Sequence, residues 1–429
     1  MKLNKLKNSF IPLFLLLLVF LFCVGGLLEF GKANQLNHPQ KGNSNENQTD
    51  VNQGNGSSSN SEENSDASEN SGKDKNTNED MNTTDGSNES TSVVNSRIQE
   101  LIDTMTLEEK VGQLFFVRCD ESTAVEDVSK YNLGGFILFA NNFENKTKED
   151  LMNNIKAYQE ASKIPMLIGV DEEGGTVVRV SKFKEFRDTP FLSPRALYAK
   201  GGLKLIIEDA YEKAELLKGL CINVNLAPVC DLSFDVDDYM YDRAFGVSVD
   251  ATSEYVSSVV CIMNKKKLGS VLKHFPGYGN NEDTHTGIAY DNRSYETFET
   301  KDFLPFEAGI KAGANSILVS HNIVKSMDEK MPASLSKEVH NILREELKFD
   351  GVIMTDDLSM DAITSFTDGM AAAVTAVNAG NDLLIATDYK TQIPAVIEAV
   401  KNGVIKEETI DKAVFRVLTW KDTLGLLEE

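Results

Sequence analysis

Two short stretches put reactive side chains directly behind apolar runs. Lys273-His274-Phe275-Pro276-Gly277-Tyr278-Gly279 follows the run 270–272 and leads into Asp283-Thr284-His285. Thr355-Asp356-Asp357 follows the run 352–354. Core packing does not call for Lys-His or Asp-Asp at the end of a buried strand. Catalysis does, because a rigid strand fixes a reactive group while the loop beyond it shapes a pocket. Asp356 can act as a nucleophile or merely cap the helix that follows. Thr355, Asp357 and Ser359 can supply that cap, which leaves Asp356 free to face a cavity. In Asp283-Thr284-His285 an i, i+2 carboxylate can hydrogen-bond the imidazole, fix its tautomer and prepare it for proton transfer. A carboxylate and an Asp-His pair facing one cavity are the equipment for cleaving a glycosidic bond.

Other groups fit the same chemistry. Lys273 and His274 can donate to sugar hydroxyls, and the Phe-Pro-Gly that follows fixes a tight turn. Asp171, at the end of the run 166–170, can accept two hydroxyl hydrogen bonds from one ring. Gly174 and Gly175 behind it allow close backbone approach, and Arg179 follows. Arg243, in Tyr241-Asp242-Arg243-Ala244-Phe245-Gly246, is a further candidate. The bland alternatives are a structural salt bridge for Lys273, a solvated loop for His285 and a solvated Arg243. A P-loop is excluded because no Gly-Lys-Ser/Thr follows Gly175. A serine hydrolase is disfavoured by the lack of a Gly-X-Ser-X-Gly elbow. No metal-ligand spacing or dinucleotide fingerprint is present, so no metal or cofactor is expected.

Eight apolar runs supply the elements that must position these groups: 113–117, 135–139, 166–170, 222–226, 270–272, 316–319, 352–354 and 383–386. Runs apolar on both faces suit parallel strands covered by helices. Helical patterns lie at 98–110, 203–220, 303–312 (opened by Asp302) and 370–379, the last stopped by Gly380. The order predicts an α/β fold, a single (β/α)8 TIM-type barrel over 93–429, with an open doubly wound sheet as the alternative. At the strand ends stand Asp120, Asn141, Asp171, Asp231, Lys273-His274, His321, Asp356 and Asp388, which would line one face with polar groups.

The 429-residue chain is not uniform. In 1–31, Lys2, Lys5 and Lys7 precede an uncharged apolar run at 10–28 that is long enough to span a bilayer. It reads as a signal peptide or a membrane anchor, with lipidation at Cys23 a third option disfavoured by Phe22; each implies export to the cell surface or beyond. Residues 32–92 are Asn, Ser, Gly, Thr and acidic residues, a composition too polar to order itself. As a coil this linker would separate its ends by roughly 40–45 Å. The net charge of −23 argues against a nucleic-acid partner. The five cysteines have no metal or redox spacing. Cys119, Cys221, Cys230 and Cys261 are expected to pack as small apolar side chains, and export would permit disulfides between them. The barrel is expected to be monomeric.

From 96 to 429 the chain resembles glycoside hydrolase family 3, specifically its bacterial β-N-acetylglucosaminidases. The motifs are 105–114, 170–179, 225–229, 242–243, 273–279, 283–285 and 355–360, in the family's order. The resemblance implies a retaining mechanism through a covalent glycosyl-enzyme, with Asp356 as nucleophile and His285, paired with Asp283, as acid/base. It implies that Asp171, Arg179, Arg243, Lys273 and His274 hold a terminal N-acetylglucosamine, and that the natural substrate is a peptidoglycan fragment or a related glycoside. The proton donor must then come from the barrel's own loop, which Gly277, Gly279 and Gly287 could let swing over the sugar. Tyr278 departs from the family's usual second His. The interval from Lys273 to His285 is one residue short, and Glu172 and Thr176 replace a usual Gln and Arg. A non-catalytic wall-binding barrel and a β-glycosidase of other sugar preference are the alternatives.

Overall fold

The computed structural model describes residues 86–428. The expectations for 1–31, and for the linker up to residue 85, lie outside the described residues. The first helix, Gly86–Thr104, begins inside the segment expected as linker. Once nucleated, a helix extends through indifferent residues at little cost.

Ten strands follow: β1 (Phe115–Arg118), β2 (Gly135–Leu138), β3 (Leu167–Val170), β4 (Val224–Asn225), β5 (Gly269–Phe275), β6 (Tyr290–Asp291), β7 (Ser316–Val319), β8 (Ile323–Val324), β9 (Val352–Thr355) and β10 (Leu384–Ala386). Eight pair in parallel in the order β10-β1-β2-β3-β4-β5-β7-β9. The two edges meet through a parallel bridge between Met354 and Leu383, where the Thr355 amide donates to the Leu383 carbonyl. The sheet is thus a nearly closed barrel, and the open doubly wound sheet is set aside. β6 and β8 form a separate two-stranded ladder.

The pleat explains why these runs are apolar on both faces. Phe116, Ile137, Leu167, Val271, Leu318, Met354 and Ile385 fill the barrel interior with Trp420 from the last helix, Glu407–Thr423. Their strand neighbours Phe115, Val117, Phe136, Ile168 and Leu384 face the helices. Gly169 must be glycine, because a Cβ there would lie 2.3 Å from the Phe116 ring.

Several boundaries differ from the sequence reading. The stretch 98–110 is two helices, broken at Met105-Thr106. Thr106 caps Leu107–Gln113 in a reciprocal capping box with Glu109, which overrides the continuous apolar spacing. That second helix takes Gln113, so β1 starts at Phe115. β4 is only two residues long. β5 runs through Lys273 and His274, which therefore lie within the strand and not beyond it. The expected helix at 203–220 is part of Pro194–Gly219, kinked at Gly201-Gly202. Asp302 does not cap the helix Phe303–Lys311, because its carboxylate is bound to Arg293 instead. The helix Gly369–Ala379 ends at left-handed Gly380, as its sequence predicts. Cys119 and Cys230 are buried, whereas Cys221, in a turn, and Cys261, on a helix's outer face, are exposed; all four are free thiols.

Candidate active site

The C-terminal ends of the strands open into a cavity of about 650 Å³. Asp171, Arg179, Arg243, Lys273, His274, His285 and Asp356 all line it. Asp283 lies behind His285. The structure thus brings all eight predicted site residues to one place.

β9 delivers Asp356. Its Oδ1 accepts the Asp357 amide at 2.8 Å. Asp357 does the local structural work, accepting the Ser359 amide at 2.9 Å and the Thr387 hydroxyl at 2.8 Å. Asp356 is therefore not spent as a cap. Burial would raise its carboxyl, but the neighbouring imidazoles of His321, His274 and His285 outweigh this together with the Asp357 amide. The net effect holds Asp356 below the usual carboxylate range, hence ionised at neutral pH.

β3 and β5 supply an ionic floor. The Lys273 ammonium sits 2.6 Å from both Asp171 Oδ1 and Glu173 Oε1. Arg243 grips Glu173 with two hydrogen bonds of 3.0 and 2.7 Å. Burial alone would push Glu173 up, but Arg243 and Lys273 hold it far below the usual range. Lys273 is raised despite its burial, because Asp171 and Glu173 stabilise its charge. The structural salt bridge and the cavity-facing role of Lys273 are therefore both present. His274 Nε2 faces Arg243 Nη2 at 3.1 Å, so it must accept, and Nδ1–H then donates to Asp231 Oδ2 at 2.7 Å. Asp231 also accepts the amides of His274 and Tyr278 at 3.0 and 2.8 Å.

The loop after β3 is folded by Glu172, whose buried carboxylate accepts the amides of Arg179, Val180 and Ser181. Gly174 (φ 103°) makes the turn possible, and a Cβ there would lie 2.2 Å from the Leu192 carbonyl. This brings Arg179 back over the cavity beside Phe139.

The loop between β5 and β6 carries the Asp-His pair. Asp283 Oδ1 lies 2.7 Å from His285 Nδ1 and accepts the His285 amide at 2.9 Å. Tyr239 Oη stands 3.5 Å from the same nitrogen. Nδ1 thus carries the proton shared with Asp283, and Nε2 has no protein partner among the described residues. The loop is tied down by buried Thr284, bonded to the Tyr278 hydroxyl and, through its carbonyl, to the Ala362 amide. At its root Arg293 binds Asp291, Asp302 and the Gly277 carbonyl.

Polar residues do not line the cavity at every strand end. Asp120 closes a turn with Ser122 and, with Asn141, borders a neighbouring cavity of about 430 Å³. Asp388 is exposed at the start of the helix Tyr389–Lys401. His321 is buried below the cavity, bonded to Ser334 Oγ and the Asp357 carbonyl. A strand-end position alone therefore does not aim a side chain into the cavity. Sequence reasoning did not single out Glu173, Tyr239, Phe139 or Arg118 as site residues. Glu173 had a signal, a second carboxylate before the Gly pair; the others had none, because their role depends on neighbours distant in the chain.

The model of the glycosyl hydrolase family 3 N terminal domain matches residues 106–420. A β-hexosaminidase of Hydrogenovibrio crunogenus is 31% identical over 310 residues, 68% of this chain and 85% of its own length. β-Hexosaminidase A of Pseudoalteromonas piscicida is 28% identical over 70% of this chain, which spans 55% of that relative. Among solved structures, a family 3 β-N-acetylglucosaminidase from Paenibacillus sp. str. FPU-7 superposes with a TM-score of 0.70 at 30% identity, covering 75% of this chain and 63% of that one. The chain thus spans little more than half to under two thirds of some relatives it matches.

Proposed function

The chain belongs to glycoside hydrolase family 3, and from that membership and the geometry of its cavity we propose that it is a retaining exo-β-N-acetylglucosaminidase. One observation carries the reading: ionised Asp356 and the Asp283-braced His285 line the same cavity. The names of the relatives support the choice of sugar.

In this reading Asp171, Lys273, His274, Arg243 and Arg179 hold the terminal sugar against the barrel floor. The Asp356 carboxylate attacks the anomeric carbon as the glycosidic C–O bond breaks. His285 enters the step as the imidazolium, with Nδ1–H held by Asp283, and gives its Nε2 proton to the departing oxygen, so the leaving group departs as a neutral alcohol and the ring is left neutral. A water then attacks the same carbon, passing its proton back to His285 Nε2, and the C–O bond to Asp356 breaks. The ionic floor fixes the sugar's position, so little reorganisation is needed at the moment of reaction. The natural substrate is proposed to be a peptidoglycan fragment. The Lys-flanked apolar run at 10–28 and the polar spacer support an exported, surface-tethered enzyme acting on it.

The test is initial rates of the full chain on aryl β-N-acetylglucosaminide and aryl β-glucoside, with Asp356→Ala as control. Preference for the N-acetyl sugar, lost in the variant, is the expected outcome. Activity on the glucoside alone would discard the sugar assignment.

A further inference from the structure

The loop that carries the Asp-His pair has a single buried anchor. From Asn280 to Ile288 only Thr284 is buried, and it stands between half-buried Asp283 and exposed His285. A buried hydroxyl must find a partner, so the bond it makes fixes how the loop sits. The Thr284 hydroxyl pairs with the Tyr278 hydroxyl. The Thr284 carbonyl accepts the Ala362 amide at 3.3 Å. Ala362 belongs to the short helix Asp361–Thr364, which follows Asp356 closely in the chain. One residue thus ties the middle of the loop both to Tyr278 and to the segment behind Asp356.

Tyr278 is itself held from several sides. Its amide donates to Asp231 Oδ1 at 2.8 Å, and Asp231 also orients the His274 ring. The Tyr278 ring meets the His274 ring edge-on, with centroids 5.3 Å apart, and lies 5.7 Å from the Tyr239 ring. Val229 and Met240 complete its surroundings, and the side chain is buried. A ring so enclosed has little freedom to move, so its hydroxyl is a fixed point. Through Asp231 and His274 that point is tied to the ionic floor of the cavity. Through Thr284 it is tied to the residue next to His285. Tyr278 is also a position at which the chain departs from the family resemblance, so the tie uses a residue particular to this sequence.

We propose that Tyr278 is a positioning residue for the proton donor: its hydrogen bond to Thr284 holds His285 at the cavity before any sugar arrives. The loop then does not have to swing over the sugar, and binding energy is not spent on ordering it. The inference rests on the glycosidase reading above. It gives Tyr278 no contact with the departing oxygen.

The experiment measures kcat/KM of the full chain, which reports bond cleavage, on para-methoxyphenyl and dinitrophenyl β-N-acetylglucosaminides, with His285→Ala as reference. Tyr278→Phe keeps the ring and loses the bond. It should lower kcat/KM about three- to tenfold on the methoxyphenyl glycoside, the worth of one hydrogen bond. On the dinitrophenyl glycoside, whose leaving group needs no proton, the loss should be no more than about twofold. Thr284→Val should give the same split from the other side of the bond, and Thr284→Ser, which keeps the hydroxyl, should stay near the wild type. The double variant Tyr278→Phe/Thr284→Val should fall no further than the weaker single variant, because both changes remove one bond. Equal losses on the two leaving groups, additive losses in the double variant, or no loss at all would overturn the inference alone, provided that His285→Ala shows its own dependence on the leaving group. If His285→Ala loses equally on both substrates, or the wild type cleaves neither, the glycosidase reading loses its proton donor and this inference goes with it.

Discussion

Asp356 and His285 differ in what their loss should reveal. In the proposed mechanism Asp356→Ala removes the group that forms the covalent bond, so turnover of every substrate should drop at least a thousandfold. In the same mechanism His285→Ala removes only the proposed proton donor. Its first-step loss should be large, about a hundredfold or more, for a poor leaving group and small for an activated one such as dinitrophenolate, which departs without protonation. Asp283→Asn should follow the same pattern more weakly, since it leaves the ring in place but misdirects its tautomer. Rates across a series of aryl leaving groups check this; equal losses on all of them would sink the acid/base assignment. Glu173 answers a different question. It is 4% exposed and neutralises both Lys273 and Arg243. Its loss would leave Arg243 without a carboxylate and Lys273 with Asp171 alone, so Glu173→Ala should destabilise by about 3–5 kcal/mol, read as a lower urea midpoint.

The loop between β5 and β6 shows how an element, and not a residue, sets the site. Arg293 joins Asp291 on β6, Asp302 before the following helix and the Gly277 carbonyl at the loop's root. Asp291 and Asp302 are 1% and 3% exposed. Burial pushes the Asp302 carboxyl up to about 6 against the pull of Arg293. Arg293→Met should therefore cost about 3–5 kcal/mol and also lower kcat, because the Asp-His pair loses its fixed root. A melting series and kcat on the same samples test it; unchanged kcat in the folded variant would separate the clamp from the chemistry. This element also marks how far sequence reasoning reaches. Lys273, His274, Asp283, His285 and Asp356 were legible because each follows an apolar run or sits at i, i+2 spacing. The bonds Glu173–Arg243, Tyr239–His285 and Arg293–Asp302 join separate segments, and no local pattern announces them. The break at Thr106 lay in plain view as Thr-x-x-Glu, yet the apolar periodicity across it read as one helix. Asp120, Asn141 and Asp388 erred the other way: strand-end position was visible, but loop direction was not.

At the scale of the whole molecule the barrel has a polar top and a base stoppered by the last helix. Trp420 enters the interior there, its ring 2.8 Å from where a Cβ on Gly269 would stand. Beside it Lys421 is fully buried, with its ammonium nitrogen 2.6 Å from Gln113 Oε1 and, among the described residues, no carboxylate paired with it. Burial without a counter-charge pulls Lys421 down to about 7. The consequence for stability follows from proton counting. Between pH 7 and the ordinary lysine range the unfolded chain holds this proton and the folded chain does not. Raising the pH therefore favours the fold, by up to about 1.4 kcal/mol per unit from this one group. Below pH 7 the folded chain must keep an unpaired buried charge, at a cost of a few kcal/mol. Lys421→Met removes the charge while filling similar space. At pH 6 the variant should be the more stable protein, even after leaving Gln113 Oε1 without its donor, a loss of about 1–3 kcal/mol. The difference should shrink as pH rises towards 9, where wild-type Lys421 is already neutral. Urea unfolding of both proteins from pH 6 to 9 measures it. Parallel curves would mean that Lys421 stays charged in the fold and that the base of the barrel admits water.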